Sequence, residues 1–414
     1  MTHRHLLALL AAAGLSLGQA LAWQAPSSGE WSQWRGPNRD GISPDTGLLQ
    51  QWPAGGPPVA WTTTGLGAGY GTVVVRGARV FVQGRRGRES LVHSLNLADG
   101  TYVWSKSLGG GGTNDRGSGP RGTPTIDGDR LYVLSESGDL WCLRDDGTEV
   151  WHRNILRDFS GRNIEWLLSE SPLVDGDRVI VTPGGRGAGI VALEKMTGRT
   201  VWTAKELNDE AGYASPVVVE VDGVRAYTTF TASAAVGVRA TDGKLLWRYA
   251  PVANGTANIT TPVVHGNRIF YTSAYGTGGG LVTLRASNGD LAADETYFTR
   301  EMQNHHGGVV LVGGTLYGFN NAILAAIDFA TGRPLWRNRS VGKGAVAYAD
   351  GRLYIVGENH VVGLAEVTPQ GYRETGRFEI ADHGLPSWSH PVVSGGRLYV
   401  RNQNELTAYD VRAR

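Results

Sequence analysis

A four-part unit recurs along this chain, and it constrains the fold more than any other feature. Residues 123–151, TPTIDGDRLYVLSESGDLWCLRDDGTEVW, show it most clearly. A short apolar strand follows Pro124, and Asp127-Gly128 turns the chain. Arg130 to Ser135 alternates apolar and polar residues as a half-buried strand. Ser137-Gly138 turns the chain again, Asp139 to Leu143 gives a third strand, and Asp146-Gly147 leads into a fourth that carries Trp151. Asp-Gly and Ser-Gly pairs between alternating runs are hairpin signals, because glycine takes positive φ at little steric cost. Four strands in an up-and-down meander make one blade of a β-propeller.

The unit returns about every 45 residues, within the propeller range. First strands are expected at Val73, Ile126, Leu173-Val174, Val217-Val218, Val263-Val264, Val309-Val310, Val346 and Val392-Val393. The last two strands flank a glycine turn before an aromatic residue, as in LNLADGTYVW ending at Trp104 and VRATDGKLLW ending at Trp247. The reading is an all-β chain, an eight-bladed β-propeller of four-stranded antiparallel blades over residues 58–414, with uneven spacing leaving seven blades open. One blade-end tryptophan per repeat, at one register, means one per inter-blade contact. Trp61, Trp104, Trp151, Trp202, Trp247 and Trp336 are therefore expected to dock each blade on the next, since a buried aromatic removes roughly 150–250 Å² from water.

The two ends of the array complement each other. Val59 to Thr63 reads as a lone fourth strand bearing Trp61, while Val392 to Asp410 supplies three strands and stops. Pairing Val59–Thr63 with Leu406–Tyr409 closes the ring and removes two open sheet edges.

The 60 Gly and 17 Pro suit a turn-rich chain, and no long stretch beyond the N-terminus has helical periodicity. A net charge of +1 without a long like-charge run argues against a nucleic-acid partner. Residues 1–22 read as a signal peptide: His3-Arg4-His5, an apolar run from Leu6 to Leu17, and an Ala20-Leu21-Ala22 cleavage site. The expected location is the periplasm or the exterior, and no other stretch is apolar enough to cross a bilayer. Cys142 is the single cysteine. It allows no internal disulfide, no C-x-x-C-H haem site and no lipid-anchor cysteine at the cleavage site, and it is expected to be a buried core thiol. Residues 23–57 form an extension whose Trp31 and Trp34, within WSQWRGPNRDG, need burial. This segment is expected to strap across the outside or bottom of the propeller.

A propeller binds at the mouth of its central channel, lined by residues just before each innermost strand. These are Tyr70, Arg121, Glu170, Tyr213, Asn258, His305, His306, Lys343, Trp388 and His390, with Trp166 on the longer connection from Asn154 to Glu170. The set suits a small polar ligand or a peptide. His305, His306, His383 and His390 are candidate metal ligands, because neutral imidazole coordinates well, although no pair has helical metal-ligand spacing. The glycine-rich run from Gly109 to Gly122 lacks a GK[ST] ending and a following helix, so it reads as an inter-blade loop. No G-x-S-x-G elbow or triad pattern is present, and no catalytic residue is assigned.

ALEKMTGRTVW (192–202) and AIDFATGRPLW (326–336) resemble the tryptophan-docking motif of quinoprotein dehydrogenases. These are eight-bladed propellers whose repeats are named for pyrroloquinoline quinone (PQQ). The same repeat occurs in the propeller lipoprotein of the bacterial outer-membrane assembly machine, which binds no quinone. The resemblance covers residues 58–414 and specifies fold more than chemistry. In the enzymes, Glu, Asn and often Asp surround Ca²⁺, a hard cation that takes oxygen ligands. Glu170 and Asn258 would be the counterparts here, with Trp166 or Trp388 stacking on the quinone. Against this, one cysteine cannot supply the vicinal pair usual beside the cofactor, and the chain is much shorter than those enzymes. The leading expectation is an exported, non-catalytic binding scaffold of the bacterial cell envelope. It would need no cofactor and would hold another envelope protein or a small ligand at a propeller face. The alternative is a PQQ/Ca-dependent quinoprotein oxidoreductase acting on an alcohol or sugar at the channel mouth.

Overall fold

The computed structural model describes residues 29–413, so the signal-peptide reading lies outside the described residues. Among these, 32 strands pair into eight four-stranded antiparallel sheets. Seven are continuous in sequence: residues 74–110, 125–154, 173–203, 217–249, 263–299, 309–338 and 344–379. The eighth joins residues 392–410 to the strand Val59–Thr64, with Thr63 opposite Leu406 and Trp61 opposite Ala408. The blades are numbered one to eight in that order, and the ring closes through this mixed blade. The one α-helix among the described residues is the single turn Ile155–Asp158 on the connection after blade two.

The blade-end aromatics show what joins neighbouring sheets. Each indole Nε1 donates to the next blade: Trp61 to Leu97 O at 3.0 Å, Trp104 to Asp145 O at 2.9 Å, Trp151 to Lys195 O at 2.9 Å, and Trp202 to Ala240 O at 2.9 Å. Trp247 donates to the Tyr271 hydroxyl at 3.1 Å and Trp336 to Thr368 O at 2.8 Å. Blade five ends in Tyr297 instead, and its hydroxyl reaches Phe329 O at 3.0 Å. A bulge beside the docking residue, such as that between Ala192 and Leu193 opposite Trp202 and Thr200, re-aims the side chain. The glycine before each tryptophan is explained by the preceding blade's ring. Gly243 has φ +77°, and a Cβ there would fall 2.4 Å from Trp202. Between the sheets lie apolar clusters, for example Phe230 and Trp247 of blade four against Tyr271, Val282 and Leu284 of blade five. Cys142 is buried in the cluster that holds Tyr132 and Trp151.

The N-terminal segment departs from the expected strap. Residues 31–45 enter the central channel from the face that carries the turns between first and second strands, here the lower face, and return to it. Trp31 exchanges backbone hydrogen bonds with Val75 of blade one at 2.9 and 2.8 Å. Ser32 O accepts from Ile126 N of blade two, and Arg39 donates to carbonyls of Ser171, Pro172 and Pro216 at the starts of blades three and four. Trp34 Nε1 reaches Thr261 Oγ1 before blade five at 2.8 Å, and Arg35 reaches Val309 O of blade six at 2.6 Å. Gly41 and Ser43 pair with Tyr348 of blade seven, and Asp45 accepts from Gly396 N of blade eight. One segment thus touches all eight blades. Only the following stretch straps the outside, where Leu48 pairs with Arg412, Trp52 N donates to Thr375 O of the outermost strand of blade seven, and its ring packs on Phe378 and Tyr354. The physical reason is the ring of strand-start carbonyls, which needs donors, and a guanidinium carries five in a fixed fork.

Candidate functional site

The antiparallel meander sends two kinds of connection to the upper face: the link between blades and the turn between second and third strands. Together they enclose a cavity of about 490 Å³, within the range of ligand sites. Tyr70, Arg121, Trp166, Tyr213, His305, His306, Trp388 and His390 line it, eight of the eleven mouth residues read from the sequence. Trp34, carried into the channel by the N-terminal segment, closes it from below and lies 4.5 Å from the His390 ring.

The walls are an aromatic chain. Arg121 lies over Tyr70 at 5.1 Å, Tyr70 packs on Trp388 at 4.7 Å, and Trp388 on His306 at 5.8 Å. Opposite, Trp166 packs on Tyr213 at 5.8 Å. The glycine-rich run forms one wall. Gly112 N donates to Glu136 Oε1, Asn114 Nδ2 to Glu165 O, and the Tyr70 hydroxyl to Arg116 O. Burial governs the electrostatics. It pulls His305 down to about 4, with Lys343 adding to the effect, and His390 down to about 3 with help from Arg35; His306 also lies well below the ordinary imidazole value. All three rings are therefore neutral near pH 7. No Asp or Glu is among the described lining residues, whereas Arg116 and Arg121 are.

Three expected mouth residues lie outside the lining. Glu170 is 1% exposed, and its carboxylate accepts from Thr182 N at 2.7 Å and Thr182 Oγ1 at 2.5 Å. Asn258 folds its own loop: Oδ1 accepts from Asn254 N at 2.9 Å, and Nδ2 donates to Ala232 O at 2.9 Å. Lys343 turns to Glu358, Nζ to Oε1 at 3.0 Å. In each case a nearer backbone or charged partner captures the polar group. The calcium set implied by the quinoprotein resemblance does not fit, because the oxygens of Glu170 and Asn258 are committed within the loops and no lining carboxylate joins them. Of the four histidines considered for a metal, His383 is exposed and His390 Nε2 contacts His306 O at 2.7 Å. His305 and His306 stand together, with Nδ1 atoms 2.9 Å apart.

The sequence reading missed Trp34, Arg116, Tyr275 and Glu358. Tyr275 and Glu358 sit in turns between second and third strands. Strand direction alone places those turns on the same face as the inter-blade links, so the repeat held that signal. Nothing periodic pointed to Trp34.

Among the described residues no helix is long and apolar enough to cross a membrane. The profile of the family described as outer membrane protein assembly factor BamB matches residues 42–167, 88–338 and 320–413. A protein of Burkholderia pseudomallei (strain K96243) named outer membrane protein assembly factor BamB is 26% identical over 373 residues, covering 83% of this chain and 85% of that one. BamB from Moraxella catarrhalis superposes with a TM-score of 0.59 at 16% identity, over 83% of this chain and 95% of that one. Quinohemoprotein alcohol dehydrogenase from Comamonas testosteroni superposes with a TM-score of 0.62 at 12% identity, over 93% and 80%. At such identities the structural likenesses establish the propeller alone. The profile match spans most of the chain, and the chain belongs to the family described as outer membrane protein assembly factor BamB.

Proposed function

We propose that this protein is a scaffold of outer-membrane protein assembly on the periplasmic side of a bacterial envelope. It holds a segment of a partner protein at its upper mouth and turns over no substrate. The observation that carries this reading is the family profile running from residue 42 to 413. The site's chemistry supports it. Aromatic and arginine side chains are the usual anchors of protein interfaces, and they dominate the cavity wall. Tyr275 stands 48% exposed at the rim and the Arg116 side chain 69% exposed, both within reach of a partner. The inserted segment fills the channel below, so a bound segment enters and leaves on one side.

A photo-crosslinking residue placed at Tyr275 in the native host tests this. The expected result is a discrete adduct with a component of outer-membrane protein assembly, together with reduced folded outer-membrane proteins when the gene is deleted. Normal outer-membrane protein levels in the deletion strain, with no adduct, would sink the reading.

A further inference from the structure

At one side of the cavity, two blades bring three metal-ligating groups together. His305 and His306 end the link into blade six. Glu358 lies in the turn between the second and third strands of blade seven. Their donor atoms all lie within 4.8 Å of one another. His305 Nδ1 and His306 Nδ1 are 2.9 Å apart, and His306 Nδ1 is 3.5 Å from Glu358 Oε1. Tetrahedral zinc with bonds of roughly 2.0–2.1 Å sets neighbouring ligand atoms about 3.3–3.4 Å apart, a value these two separations bracket. We propose that His305, His306 and Glu358 bind a divalent transition-metal ion of the zinc class, with its remaining coordination position open to the cavity.

The surroundings suit this role. The Tyr275 hydroxyl lies 2.7 Å from His305 Nε2. A proton held on Nε2 by that contact leaves Nδ1 with its lone pair, the second-shell device by which metal sites fix a tautomer. His306 Nε2 is buried without a partner, so the proton that leaves Nδ1 on coordination has an unused nitrogen to occupy. His390 Nε2 contacts His306 O at 2.7 Å and steadies the backbone that carries the second imidazole. Two nitrogens and one oxygen favour zinc, nickel or cobalt over calcium or magnesium, which take oxygen donors. Both imidazoles line the cavity, so a ligand there could complete the coordination. One group opposes the ion. Lys343 Nζ sits 3.0 Å from Glu358 Oε1, and its charge must withdraw as the cation enters.

The opposition makes the test two-sided. The whole chain, stripped with chelator and dialysed, is titrated with Zn²⁺ in a calorimeter. One equivalent should bind saturably. Binding should weaken at least about tenfold in Glu358→Gln and be lost in the His305→Gln/His306→Gln double variant. It should tighten in Lys343→Met and be unchanged in His383→Gln, whose side chain is exposed. Absence of saturable binding to the native chain would overturn the proposal. So would undiminished binding in a double variant shown by circular dichroism to be folded. If the double variant fails to fold, Co²⁺ on the native chain decides. Intense visible bands of a four-coordinate ion support the site, and the weak bands of a six-coordinate ion overturn it.

Discussion

Arg39→Ala should free the inserted segment and leave the ring closed. Arg39 is 4% exposed. Its Nη1 donates to Ser171 O at 3.1 Å and Pro216 O at 2.9 Å, its Nη2 to Pro172 O, and its Nε to Gln33 Oε1 at 2.7 Å. Alanine leaves three buried main-chain carbonyls without this donor. Pro172 O keeps the Thr125 hydroxyl, which donates to it at 2.6 Å, so two acceptors are orphaned; at about 1 kcal/mol or more each that gives roughly 2 kcal/mol. At 1.4 kcal/mol per decade, the opened population of the segment rises about thirtyfold. The effect is local, because no blade's own strand ladder includes this segment. Hydrogen exchange read by mass spectrometry reports such partial opening directly. Amides of residues 31–43 should exchange about thirtyfold faster. So should Ile126 and Tyr348, whose N–H groups donate to Ser32 O and Gly41 O. Amides inside the strand Arg130–Leu134 should keep their protection. Arg39→Lys should recover only part of the loss, since one ammonium cannot span three carbonyls as the fork does. Equal protection in variant and wild type would refute the reasoning, as would acceleration spread evenly over all blades.

The remaining predictions concern docking and pH. Trp61→Ala removes a 6% exposed indole and its bond to Leu97 O at the closing blade. It should cost about 3–5 kcal/mol in chemical denaturation, and a loss below about 1 kcal/mol would show that closure does not depend on it. Gly243→Ala and Gly223→Ala share nearly the same backbone, φ +77° and +78°, but only Gly243 faces a ring, that of Trp202. Both should lose the roughly 1–2 kcal/mol of left-handed strain, and Gly243→Ala should lose a further ~1–3 kcal/mol by overpacking; equal melting points would remove the docking argument. Burial raises Glu170 from 4.5 to about 7 against the opposing pull of Thr182 and Arg39. The native state thus keeps a proton that the unfolded chain releases. That contribution is full below about pH 4.5 and is lost as pH climbs through 7. Glu170→Gln should therefore gain on wild type by up to about 3 kcal/mol between pH 4.5 and 7.5 in urea unfolding, and a difference flat with pH would contradict it.

The ring was legible because its information is local and repeated. Turn pairs such as Asp127-Gly128 and alternation such as RLYVL specify hairpins within a few residues, and the repetition fixes the blade unit, while the uneven spacing of the copies left seven or eight blades open. The missing fourth strand of blade eight was legible for the same reason: a periodic pattern shows its own gap. The cavity was partly legible. Tyr70, Arg121 and His305 follow from their place before an innermost strand. Glu170 and Asn258 hold equivalent places but turn away. Position along a repeat places a backbone, whereas the direction of a polar side chain depends on which partner is nearest, here Thr182 and Asn254. Trp34 and Arg39 were illegible, because they occur once and act on distant partners, Trp34 on the Thr261 hydroxyl 227 positions later and Arg39 on carbonyls 132 to 177 positions later.

That single segment also explains why the cavity has a floor. The innermost strands of most blades are only three or four residues long. Their starting carbonyls point into a channel that the strands themselves do not fill. Water could satisfy those carbonyls, but would leave a pore open at both ends. The WSQWRGPNRDG loop replaces water with two guanidinium forks, and the burial this imposes draws Arg35 down to about 10 and Arg39 to about 9. The cost is met by carbonyl acceptors around the ring, although Arg35 Nη1 finds none. Trp34 belongs to the same loop and closes the cavity from below. The cavity's depth is therefore set by the segment that holds the channel shut. A variant that releases Arg39 should deepen the cavity as well as expose the loop, and binding at the upper mouth should change with it although no residue at the rim has been altered.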